Sequence, residues 1–334
     1  MSLNRLKAII NGKKYLPFKQ DGKTYNLYDM PKGFVIKGDL YLHHLNLTEL
    51  PDLSDVVVKG NFACFDNELT SLKGAPKEVG GYFSCAHNQL TSLEGAPQKV
   101  GGHFDCSDNK LTSLEGAPKK VGETFNCRYN KLTSLKGAPQ LIGVDFLCSR
   151  NQLTSLEGAP IEVGGNFDCS ENLLTLLEGA PIKVGRNFDC RYNQLTSLEG
   201  APQTVGGYFQ CSQNQLTSLE GAPQTVSGDF SCSNNGLTSL VGVSQLKEDG
   251  KIYCDDSIGA KYGISNKKNG IPYEDLCKSP LYRSEEAMNR IRIKQQQEQV
   301  GTKPDLTKQQ EAFEKTNAEF SQWLKDNSNK PTRK

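Results

Sequence analysis

Residues Asn88 to His103 read NQLTSLEGAPQKVGGH and lead into Phe104, Asp105 and Cys106, and this phrase returns along most of the chain. Asn recurs at 67, 88, 109, 130, 151, 172, 193, 214 and 235, and Cys at 64, 85, 106, 127, 148, 169, 190, 211 and 232, both in steps of 21. A unit this short cannot bury its own apolar residues, so successive units must stack and share one core. The sequence therefore predicts a solenoid. In the unit ending at Leu114 the apolar positions are Val100, Phe104, Cys106, Leu111 and Leu114, with Asn109 among them. Phe104 and Cys106 lie two apart, so in a strand they share one face and Asp105 takes the other. Gly101, Gly102, Gly116 and Pro118 supply bends. Asn109 falls where the strand ends, and its amide suits main-chain groups within and between turns.

The pattern V-x-x-x-F-x-C-x-x-N-x-L-x-x-L resembles the leucine-rich-repeat signature, with Phe and Cys in two Leu slots and one extra residue between Val and Phe. With Glu115-Gly116-Ala117-Pro118 following, it is most similar to the short repeat of bacterial effector proteins. The resemblance spans Leu40 to about Ile258. It implies a mainly β solenoid, a right-handed coil of about eleven turns with a parallel β-sheet on its concave face.

Outside the period, residues 1–39 carry Tyr15, Phe18, Tyr25, Tyr28, Met30 and Phe34 and are expected to form an N-terminal cap. Residues 259–283 are read as a linker or cap, 284–327 as a helical tail and 328–334 as a disordered basic end. Within the tail, one helix is expected from Ser284 to about Val300 and a second from Asp305 or Thr307 to Asn327. Phe313, Phe320 and Trp323 would line a stripe on the second, to cap the solenoid, dock a partner or join a second copy.

With 334 residues, net charge +1 and 36% hydrophobic residues, the balance points to neither nucleic acid nor membrane, and no signal peptide is evident. Nine of eleven cysteines occupy one inward position per turn, where sulfur acts as a small apolar group. No C-x-x-C occurs, so neither metal nor other cofactor is expected, and free thiols suit a reducing, cytoplasmic setting.

Specificity in a solenoid is written where turns differ. On the concave face such positions are Asn126, Arg128, Tyr129, Leu147, Arg150, Asp168, Glu171, Asp189, Arg191 and Tyr192. Tyr and Arg are the types most enriched at binding hot spots. A solvated face with paired charges would use similar residues. On the convex side, Leu141, Ile161 and Ile182 are expected to form an exposed apolar ridge. The four histidines, at 43, 44, 87 and 103, lie in early turns with no repeated acid or nucleophile partner. The effector resemblance also implies a ubiquitin-ligase reading, with Cys254-Asp255-Asp256 in a C-x-D setting, but only about 80 residues follow Cys254. The chain is read as a non-enzymatic protein-recognition scaffold, with a ligase-type effector and a structural, self-associating solenoid as alternatives.

Overall fold

A computed structural model describes residues 8–10, 13–243, 245–247, 249–264 and 270–300. The chain divides into two compact units, with turns up to Gln152 in the first and those from Ile161 in the second. Each is a run of stacked parallel β turns.

In the first unit, two-residue strands Leu40–Tyr41, Phe62–Ala63, Phe83–Ser84, Phe104–Asp105, Phe125–Asn126 and Phe146–Leu147 pair in parallel, each Phe aligned with its neighbour's. The ladder continues past each strand, as Cys106 N–H donates to the Asn126 carbonyl at 2.9 Å. A second parallel ladder runs through the Val positions, from Val35–Ile36 to Leu141–Ile142. Val100, an apolar position of the repeat, is the inward residue of a strand, Lys99–Val100. Because Val35–Ile36 already joins this ladder, the solenoid begins within the segment assigned to the cap. Ahead of it, Pro17–Gln20 and Lys23–Asn26 form an antiparallel hairpin, with Leu16 and Leu27 buried.

The second unit repeats the design. Phe167–Asp168, Phe188–Asp189, Phe209–Gln210, Phe230–Ser231 and Lys251–Tyr253 pair in parallel. Ile271–Pro272 then joins the last of them antiparallel. Its Val ladder runs from Glu162–Val163 to Gln245–Leu246.

Phe, Cys and two Leu per turn form the core. Rings stack at 5.1–5.6 Å from Phe62 to Phe146, and at 5.1–5.4 Å from Phe167 to Phe230. Fully burying a Phe contributes about 1.5–3 kcal/mol, so one ring per turn is a large share of each turn's stability. The cysteines from 64 to 232 are buried and free, and burial pushes the Cys169 thiol well up. Each Asn ties two turns together: Asn109 Nδ2 donates to the carbonyls of Cys85, Cys106 and Ser107 at 3.1–3.2 Å, and its Oδ1 accepts the Leu90 N–H at 2.9 Å. The two glycines of the bend differ in kind. A Cβ on Gly122 would overlap the Gly101 carbonyl of the preceding turn, whereas the next position already holds Glu123, Val144 and Arg186 in other turns.

After the last parallel strand the chain forms α1 (Asp256–Lys261), α2 (Tyr273–Lys278) and α3 (Pro280–Val300). Residues 259–283 thus hold helices and a strand as well as connecting loop. Proline is favoured at a first helical position, since it has no N–H to leave unpaired, and α3 starts at Pro280 instead of Ser284. The Tyr262 hydroxyl fastens this end, accepting the Leu240 N–H at 3.0 Å and donating to Glu285 Oε2 at 2.8 Å. The expected second helix, with Phe313, Phe320 and Trp323, lies outside the described residues, as does the basic end. No helix among the described residues is long and apolar enough to cross a membrane.

Candidate binding face

Residues alternating with the buried Phe and Cys project from the sheet. In the first unit these include Asn126, Arg128 and Leu147, all half-buried. Asn126 Oδ1 accepts the Arg128 N–H at 3.2 Å. Arg150 lies with its guanidinium 4.7 Å from the centre of the Tyr129 ring, a cation–π contact.

In the second unit, Asp168 and Asp189 stand side by side on neighbouring strands. Like charges so placed repel, and each is held by donors of its own. Asp168 Oδ1 accepts from Ser170 Oγ at 2.6 Å and from its N–H at 3.1 Å. Asp189 takes the Arg191 guanidinium in a fork, with Nη2 at 2.7 Å from Oδ2 and Nε at 3.0 Å from Oδ1. Donation to the Asp189 carboxylate raises the Arg191 pKa, so this arginine is charged and partly committed.

The position before each Asn adopts a left-handed backbone throughout. It holds Asp66, His87, Asp108, Tyr129 and Arg150 in the first unit and Glu171, Tyr192, Gln213 and Asn234 in the second, with φ from 49° to 59°. The fold needs this kink to turn the chain off the strand and aim the Asn amide inward. Asp and Asn accept it at low cost; Tyr, Arg and Glu do not. Tyr129 is 44% exposed and Tyr192 54%, so neither bulky side chain is repaid by burial.

Several expectations change. Leu141 is buried, and Ile161 and Ile182 are half-buried, so the expected exposed ridge is absent. Leu141 stands one position later in its turn than the two isoleucines, aligned with Lys120 of the neighbouring strand. Three of the four histidines do have acid partners, each on the following turn: His44–Asp66 at 3.5 Å, His87–Asp108 at 3.7 Å and His103–Glu123 at 2.7 Å. Sequence reading also passed over Leu173 and Leu176, both exposed where other turns carry mostly polar residues. Their signal was the phrase NLLTLL in place of NQLTSL.

The C-x-D cysteine is not an activated nucleophile. Cys254 is buried, and burial, with Asp255 and Asp256 nearby, pushes its thiol up to about 11. No group of three His, Cys, Asp or Glu that could hold a metal occurs among the described residues.

The class this architecture defines is the parallel β-solenoid. Among solved structures the chain is similar to YopM from Yersinia enterocolitica WA-314, at 22% identity and a TM-score of 0.46, over 64% of this chain and 52% of that one. It is also similar to YopM, a leucine-rich effector protein from Yersinia pestis, at 19% identity and a TM-score of 0.45, over 66% of each chain. The chain thus spans about half the length of the first. No protein-family model and no curated protein matches the sequence.

Proposed function

We propose that the protein is a non-enzymatic recognition scaffold that binds another protein through the outward strand faces of its two units. The observation that carries this reading is the left-handed position. Tyr129, Arg150, Glu171 and Tyr192 hold a backbone that Asn or Gly would hold with less strain, and all four side chains are exposed. Residues kept at a cost to stability, and of types rich in binding energy, fit a surface shaped by a partner. Asn126, Arg128 and Leu147 extend the face in the first unit, and Asp168, Asp189 and Arg191 in the second. Ile161 and Ile182 form a weaker site. The short effector-like repeat fits a bacterial or phage-encoded factor acting in cytoplasm on a host or defence protein.

The test is quantitative capture of a binding protein from cell lysate by wild type and by a variant carrying R128A, Y129A, R191A and Y192A. The variant should melt close to wild type and lose the captured protein. Equal capture by both would sink the reading.

A further inference from the structure

The early turns of the first unit fill the left-handed position differently from the later ones. His44, Asp66, His87 and Asp108 occupy it on successive turns, at φ 56°, 49°, 50° and 53°. Two pairs form along this column, His44 with Asp66 and His87 with Asp108, and ahead of the strands His103 Nε2 lies 2.7 Å from Glu123 Oε2. All six side chains are 36–57% exposed, open to solvent and to a ligand. Every histidine of the chain lies in this stretch. The His43 ring stacks on Phe65 at 4.6 Å and 5° between planes, with Tyr41 5.9 Å away. The Tyr41 hydroxyl donates to Asp39 Oδ2 at 2.7 Å.

The charge of this surface is one-sided. From Asp39 to Asp108 its outward and left-handed positions hold Asp39, Asp66, Asp105 and Asp108 and neither Lys nor Arg, with Glu123 on the bend of the next turn. Lys59 and Lys110 sit on the flanking bends, and Arg128 stands one turn beyond Asp108. Carboxylates beside aromatic rings are the chemistry that holds Lys and Arg, through ion pairs and through ring faces. Surrounding potential of one sign also speeds the approach of an oppositely charged partner.

Histidines make the balance conditional. Histidine is the side chain whose charge changes nearest to neutral pH. A charged imidazole in each pair offsets its carboxylate, His44 against Asp66, His87 against Asp108 and His103 against Glu123. Burial holds His43 below the ordinary histidine value, with His44 adding to the effect, so His43 charges late.

Resting on the reading that the strand faces bind protein, we propose that this face takes an extended Lys- and Arg-rich segment of a partner polypeptide and loosens its hold as the histidines protonate. The experiment is fluorescence anisotropy of a labelled oligo-arginine peptide against the full chain, with oligo-glutamate as control. Low and high salt are compared, at about pH 7.5 and about pH 5.5. Oligo-arginine should bind at the higher pH in low salt, about tenfold more weakly at the lower pH, and oligo-glutamate not at all. A variant with D66N and D108N should lose about tenfold at the higher pH, and Asn accepts the left-handed backbone, so the fold is kept. A variant with H44Q, H87Q and H103Q should bind equally at both pH values, Gln being already accommodated at the position of His44 and His87 in Gln213.

Unchanged binding by the Asp variant overturns the proposal, as does a pH effect that survives the His variant. If oligo-arginine fails to bind while the quadruple alanine variant loses its captured partner, this inference falls and the broader scaffold reading stands. If that variant also keeps its partner, both fall.

Discussion

The Arg150 guanidinium lies over the Tyr129 ring of the preceding turn at 4.7 Å, and both residues hold a left-handed backbone. This pair recovers part of what each backbone costs, since an exposed cation–π contact contributes about 0.5–1 kcal/mol. Tyr192, with the same backbone and greater exposure, shows no such ring contact. Tyr192→Asn should therefore raise the unfolding free energy by about 0.5–1 kcal/mol while weakening partner capture. Tyr129→Asn should gain less, because it forfeits the contact with Arg150. Urea titration checks both; a lower midpoint for Tyr192→Asn would count against strain at this position.

Thiol chemistry gives an independent reading of the core. Cysteines 64 to 254 are buried, and burial pushes Cys64, Cys85, Cys106, Cys169, Cys190, Cys211, Cys232 and Cys254 up. Only the thiolate reacts, so a disulfide reagent added to native protein should label Cys277, which is partly exposed on α2, and leave the others until unfolding. Mass spectrometry locates the label, and rapid modification of Cys169 would contradict the buried column.

Gly122→Ala should be far more damaging than its size suggests. The added methyl meets the Gly101 backbone, which cannot swing aside as a side chain could. A loss of about 2–4 kcal/mol is expected by chemical denaturation. A loss below about 1 kcal/mol would mean that neighbouring turns are less closely set than the structure has them.

Asn109→Asp tests the polar ladder through pH. The amide nitrogen faces three carbonyls, so an ionised oxygen in its place meets only acceptors, and about 3 kcal/mol or more should be lost at neutral pH. Burial and those carbonyls raise the folded pKa of the introduced carboxyl above its unfolded value of about 3.9. The sign follows: the deficit against wild type is greatest above the folded pKa and shrinks as pH falls, since the protonated group again donates. A deficit that does not shrink on acidification would rule out the ladder as the cause.

Much of the fold was readable because one spacing governs it. Steps of 21 gave Phe104, Cys106, Asn109, Leu111 and Leu114 their roles before any coordinates. The Val ladder escaped because a two-residue strand is too short to show alternation. The left-handed position escaped for a related reason: Tyr and Arg are not turn residues, and the clue was Asp66, Asp108 and Asn234 in the same column. The histidine pairs do not show in the sequence because no acid recurs at a fixed place beside the histidines. The partners lie one turn on, from 44 to 66, 87 to 108 and 103 to 123. Leu141 was grouped with Ile161 and Ile182 by type, although its place in the turn differs by one residue.

The antiparallel strand Ile271–Pro272 has a consequence for growth. A stack of near-identical turns offers at its end the same groups that an added turn would satisfy, which is how fibrils elongate. Here the last parallel strand is met by one of opposite direction, and Pro272 has no N–H to offer a newcomer. This strand covers the open end of the sheet, and a protein truncated before Gly270 should elongate end to end more readily than the full chain, as light scattering would show.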